Sequence, residues 1–127
     1  MTMDLYSVLI EDISSLGIAT DFKLELKSYS KSYLGRYVVK SSKIQVYIYE
    51  NKSCTVIRPY KEILNTVIHE AIHHIQHKNP DFKRIKGVMH DEEFYKLHEQ
   101  YKSLALAKGL TERRCFIFEN EVKVESL

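Results

Sequence analysis

An α+β fold is the expectation for this 127-residue sequence, and three observations carry it. Apolar residues recur at helical spacing in three separate stretches. Between the first and second of these lie three short runs with strand character, two of which alternate apolar with polar residues. The order is therefore helix, strands, helix, helix, and not the regular strand–helix alternation of a doubly wound sheet.

Residues 4–16 place Leu5, Val8, Leu9, Asp12, Ile13 and Leu16 at the spacing of one helical face, and Gly17 ends that helix. Three strands follow. Residues 22–29 alternate Phe22, Leu24 and Leu26 against Lys23, Glu25 and Lys27. Residues 33–39 are β-branched and aromatic around Gly35. Residues 43–49 alternate Ile44, Val46 and Ile48 against Gln45, Tyr47 and Tyr49. The polar turns SYSKS and KSSK between them predict an antiparallel meander. A loop over 50–58 leads to Pro59, which suits the first turn of a helix. From 60 to 77, Ile63, Leu64, Val67, Ile68, Ala71, Ile72 and Ile75 form a wide apolar face, so this helix is expected at the centre of the molecule. Asn79-Pro80 stops it. A polar loop over 81–89 precedes a further helix over about 91–107, closed by Lys108-Gly109. The tail CFIFENEVKVESL alternates again and reads as an added strand. One domain is expected over 1–127, with its core at about 4–108.

Composition narrows the function. With 44% hydrophobic and 28% charged residues, 4 Gly and 2 Pro, the chain reads as a folded globular protein without long linkers. A net charge of +2 does not argue for a nucleic-acid partner. The basic clusters Lys83, Arg84, Lys86 and Arg113, Arg114 read as solvated turns. Nine Tyr and no Trp are unusual, and rings packed at core edges with wet hydroxyls account for most of them. Cys54 and Cys115 form no CxxC pair, which excludes a cysteine zinc ribbon within these residues. No apolar run approaches a membrane span, and the first residues lack the basic start of a signal peptide. A cytoplasmic protein with reduced thiols is expected.

The chemistry lies in the central helix, at His69-Glu70-Ala71-Ile72-His73. Residues four apart share a helix face, so His69 and His73 can offer two imidazoles to one metal ion. Glu70 is placed to reach a water on that metal without being a ligand. Zinc lowers the pKa of such a water to about 7, and a nearby carboxylate can take its proton during attack on a carbonyl. This is the logic of the HExxH pattern. Histidine-rich helices also occur on protein surfaces. Here the motif is mid-helix, its flanks Val67-Ile68 and Ala71-Ile72 are apolar, and a third ligand follows. That ligand is expected to be His90, at the entrance of the next helix with sixteen residues between it and His73. Glu92, Glu93 and His98 compete for the role. His74 is rotated away from the pair and is expected to meet Glu70 or solvent. His77 sits at the helix C-terminus, where the dipole favours an imidazolium.

These residues resemble the SprT-like metallopeptidase domain, the group related to the Spartan proteases. The matching pieces are the strand run, TVIHEAIHHIQH, a spacer, and MHDEEFYKL, together covering about residues 4–107. The family carries HExxH and a later H-x-x-x-F, which fall here on His69, Glu70, His73, His90 and Phe94. The resemblance implies a zincin-like fold and a peptidase with one zinc held by His69, His73 and His90, with Glu70 as the catalytic base. It implies a peptide or protein substrate; some members cleave proteins crosslinked to DNA. Many members add a C-terminal zinc ribbon or DNA-binding tail, and this sequence reads as a minimal form without one.

An extended peptide is expected to add to a sheet edge beside the cleft, with 43–49 as that edge. Tyr95 or Tyr101 is a candidate donor to the oxyanion, with packing as the alternative role. Two other functional classes stay open. One is a non-catalytic zinc scaffold, which would not need Glu70. The other is a different zinc hydrolase such as a ribonuclease, although the compact HxxxHxxxxxH spacing fails at Asn79.

Overall fold

The first turn of the chain is set by Asp4. It ends strand β1 (Thr2–Asp4) and caps helix α1 (Leu5–Ser15), its carboxylate accepting the Ser7 N–H at 3.0 Å. The helix buries Leu5, Val8, Leu9, Asp12 and Ile13, and it closes at Gly17, whose φ of 84° suits a residue without a side chain. The computed structural model describes residues 2–79 and 92–125. After α1 come β2 (Lys23–Lys27), β3 (Gly35–Val38), a 3₁₀ turn (Val39–Ser41) and β4 (Lys43–Tyr47). The central helix α2 (Tyr60–Lys78) and helix α3 (Glu92–Ala107) follow, then a second 3₁₀ turn (Leu110–Glu112) and strands β5 (Arg114–Phe118) and β6 (Glu121–Glu125). Among the described residues the fold is α+β, with three helices and two small three-stranded sheets.

The expected antiparallel meander is corrected. The order in the first sheet is β2-β4-β3, and β4 lies between the other two. β3 and β4 form an antiparallel hairpin, Gly35 opposite Val46 and Val38 opposite Lys43, while β2 and β4 are parallel, Lys23 opposite Lys43 and Lys27 opposite Tyr47. The connections explain this. The short 3₁₀ link between β3 and β4 closes a hairpin. The longer stretch 28–34 crosses two strand spacings, about 10 Å, and leaves room for β4 to insert. Alternation along each run reports which side chains are buried, and it carries no information about neighbour order.

Inward-facing Leu24, Ile44 and Val46 pack against the apolar stripe of α2, made of Ile63, Leu64, Val67, Ile68, Ala71 and Ile72. On the far side α2 meets α3, which inserts Phe94 and Ala105 into the core. Helix α2 is thus sandwiched, and its remaining polar stripe is what can face a cleft. It ends at Asn79, whose extended backbone is the conformation favoured before Pro80.

The tail gives two strands where one is expected. β5 and β6 are joined through Glu119 and Asn120, both at positive φ, which is the two-residue hairpin geometry that matches strand twist. β1 pairs with β6, so the second sheet has the order β1-β6-β5. This sheet is tied to α1 and α2 by a buried polar cluster. Asp12 accepts from Arg113 twice, at 2.8 and 3.0 Å, and from the Tyr60 hydroxyl. Among the described residues no helix is long and apolar enough to cross a membrane.

Candidate metal centre

The polar stripe of α2 delivers its chemistry at one point. The donor atoms of His69, Glu70 and His73 all lie within 4.8 Å of one another, so this group could hold a metal ion. His73 and Glu70 are buried and His69 is half-buried. The two imidazole rings stand edge to face with centroids 5.2 Å apart. Phe94 lies against both, 4.8 Å from His69 and 4.7 Å from His73. Phe94, in the first turn of α3, therefore packs on both candidate ligands and limits their ring rotation.

Glu70 is the unusual group. One of its carboxylate oxygens, Oε2, is buried and has no hydrogen-bond partner among the described residues. Burial pushes its pKa from 4.5 up to about 7. A buried carboxylate oxygen left without a protein partner is what a metal-binding or water-activating position looks like before its ligand is added. The donor set, two imidazoles and a carboxylate, suits zinc and other borderline divalent ions.

A cleft of about 410 Å³ opens over this group. One wall is the approach to β3, with Tyr33, Leu34 and Gly35. The floor is α2, with Thr66, His69 and Glu70. α3 contributes His98. Gly35 is what lets strand and helix close together here. A Cβ on it would lie 2.6 Å from Thr66 Cγ2, 3.0 Å from the Gln45 carbonyl and 3.5 Å from Glu70 Cγ. A glycine inside a strand pattern signals such a close approach, and that signal was present in the sequence. His98 stands with its ring 5.3 Å from that of His69. It is the one competing ligand that the structure brings to the cleft; Glu92 and Glu93 are exposed at the start of α3 and do not line it. His90 lies outside the described residues.

Other candidates are relocated. His74 meets neither Glu70 nor solvent. It is buried, takes the Tyr37 hydroxyl at Nδ1 and the Asp21 carboxylate at Nε2, both at 2.8 Å, and so links α2 to β3 and to the start of β2. His77 is exposed at the helix end. Tyr95 and Tyr101 do not line the cleft, whereas Tyr33 does. The edge expected at 43–49 is the middle strand, and β3 is the outer strand on the cleft side. Cys54 and Cys115 are both free thiols.

Comparison with protein-family models, curated proteins and solved structures gave no match. The functional argument therefore rests on the chemistry of the site.

Proposed function

We propose that this chain is a zinc-dependent metallopeptidase, zincin-like in fold and SprT-like in its motif. The observation that carries the reading is the buried, hydrogen-bond-deficient Glu70 carboxylate beside two imidazoles on the floor of an open cleft. His69 and His73 would hold the ion, with His90 as the third ligand. Zinc in that position supplies Lewis acidity toward a carbonyl and a water of pKa near 7. The chain's own groups do the rest. Glu70 accepts the proton of the attacking water and returns it to the leaving amine, the two-way role of a general base. Phe94 fixes the two imidazoles. The outer edge of β3 receives an extended peptide backbone and brings it past Glu70. A cytosolic setting belongs to the same reading.

The rival reading is a metal-holding scaffold without catalysis. It uses Glu70 as one more ligand to the ion, or not at all, and has no need of a base. Glu70→Gln separates the two. The wild type is expected to carry about one zinc per chain and to cut a flexible protein such as casein. The variant is expected to load zinc equally and to cut about 10²–10⁴-fold more slowly. Zinc-dependent cleavage unchanged in Glu70→Gln, or full zinc retention in the His69→Ala, His73→Ala double variant, overturns the assignment.

A further inference from the structure

Beside the metal-site cleft lies a larger one, of about 570 Å³. The two share Tyr33, Leu34, Asn65 and Thr66 in their walls, so they are successive parts of one groove along α2. The helix rises 1.5 Å per residue, which puts Glu62 in the second cleft about 10 Å from His69 in the first, roughly three residues of extended peptide.

The second cleft gathers four of the nine tyrosines: Tyr29, Tyr33, Tyr47 and Tyr49. Packing at a core edge explains a tyrosine singly. Four lining one open cleft present a wall of π faces, and π faces attract cations. One instance is already in place: the Arg36 guanidinium lies 5.4 Å from the centroid of the Tyr33 ring. The lining carries charge of both signs. Glu50 and Glu62 are exposed carboxylates. Two cations also line the cleft, and they differ. Arg58 is 4% exposed; its terminal nitrogens donate to the Tyr47 carbonyl at 2.6 Å, Thr66 Oγ1 at 3.0 Å, and the Leu34 and Glu62 carbonyls at 3.4 Å, and its Nε lies 3.9 Å from the Glu62 carboxylate. It is a strut joining β4, the approach to β3, and α2. Lys31 is exposed, so the lining holds two carboxylates and two cations, and the tyrosine rings are what favour a further cation.

We propose that this tyrosine-walled cleft binds a lysine or arginine side chain of the peptide whose backbone crosses the His69–Glu70–His73 site. The apolar stem of such a side chain lies along the rings, and its charged head reaches Glu50 and Glu62. The inference rests on the peptidase reading for its substrate, and the tests below separate the two. Cleavage of a positional peptide library by the zinc-loaded chain is expected to favour Lys and Arg about three residues from the cut. For a matched pair differing only by Lys against norleucine, kcat/KM is expected to differ about five- to tenfold. That ratio is expected to approach one in Glu50→Gln/Glu62→Gln, and to fall part-way in Glu50→Gln, an exposed change away from Arg58. A binding measurement needs no turnover. In Glu70→Gln protein, the Lys peptide and not its norleucine twin is expected to shift the NMR signals of Tyr29, Tyr47 and Tyr49, and the acidic double variant is expected to lose those shifts. Lys binding at the tyrosines with no cleavage of any peptide strikes the peptidase reading and leaves the cleft assignment standing. An aromatic preference, no preference, or equal shifts from the norleucine peptide overturns the cleft assignment.

Discussion

Two carboxylates are buried in this molecule to nearly the same degree, Asp12 at 2% and Glu70 at 6% exposure, and they lead opposite lives. Asp12 is saturated. It takes two hydrogen bonds from Arg113 and one from Tyr60, and it raises the pKa of both partners, with burial leading at Tyr60 and the hydrogen bond to Asp12 leading at Arg113. Glu70 keeps a buried oxygen with no partner among the described residues, and burial holds its carboxyl near neutral pH. Burial alone therefore does not mark a functional acid. The mark is burial that the fold has left uncompensated, next to groups that could bind a cation.

The largest expected effect on stability tests that contrast directly. Asp12→Ala strands a partly buried guanidinium and a buried hydroxyl, and is expected to cost about 3 kcal/mol. Glu70→Gln removes a charge whose burial the fold leaves uncompensated, and is expected to leave the metal-free protein at least as stable as wild type near neutral pH. Urea unfolding in the presence of chelator measures both. Equal costs at the two positions would mean that Glu70 is held by the fold after all, and the distinction would collapse.

A smaller effect concerns the space above Glu70. Gly35→Ala would put a Cβ 2.6 Å from Thr66 Cγ2 and 3.0 Å from the Gln45 carbonyl, so the Thr66 side chain must turn or β3 must move off α2. The expected cost is about 1–3 kcal/mol, with cleavage impaired because the cleft wall shifts. Gly17→Ala is the control. Its Cβ would meet nothing within 4 Å, and the penalty comes from a φ of 84° alone, about 1 kcal/mol with zinc loading unchanged. Unaltered cleavage in Gly35→Ala would remove β3 from the account of the site.

The same contrast shows how much could be read without coordinates. The helices and the His69–Glu70–His73 constellation are local patterns, with spacing of three and four residues on one chain segment, and sequence carries such spacing faithfully. The existence of β2, β3 and β4 was legible for the same reason. Their neighbour order was not, because pairing joins residues about 20 positions apart, such as Lys23 and Lys43, and alternation is indifferent to the partner. β1 is three residues long, too short to show any period. The β5–β6 turn uses Glu119-Asn120, without the glycine that usually announces a hairpin. Asp12 stood in the sequence as one more position on an amphipathic face; its partner Arg113 is 101 residues away, and nothing local names it. The groove residues of α2, Glu62, Asn65 and Thr66, are one helical turn apart in line with His69 and Glu70. That stripe was visible in principle once the metal motif fixed which face mattered.

Asp21 supplies the smallest test, because it lies between the two extremes. Its side chain is 61% exposed, yet its Oδ1 accepts a 2.8 Å hydrogen bond from Nε2 of buried His74. A carboxylate only accepts, so Nε2 carries the hydrogen. Nδ1 is bonded to the Tyr37 hydroxyl, and a hydrogen-bonded chain runs from the surface through α2 to β3. The bond to His74 is the main cause holding the Asp21 pKa below its ordinary 3.8. The sign follows from linkage: a carboxyl whose folded pKa is depressed adds stability above its unfolded pKa and loses it as pH falls through the folded value. Water screens most of the interaction at this exposure, so Asp21→Asn is expected to cost less than about 1 kcal/mol near neutral pH. The gap from wild type is expected to narrow as pH drops below about 4, as the wild type protonates the carboxylate that the variant lacks. Denaturant unfolding at several pH values reads it. A gap that widens in acid, or a cost matching that of Asp12→Ala, would place Asp21 with the saturated structural acids and make His74 a core anchor in place of a bridge to the surface.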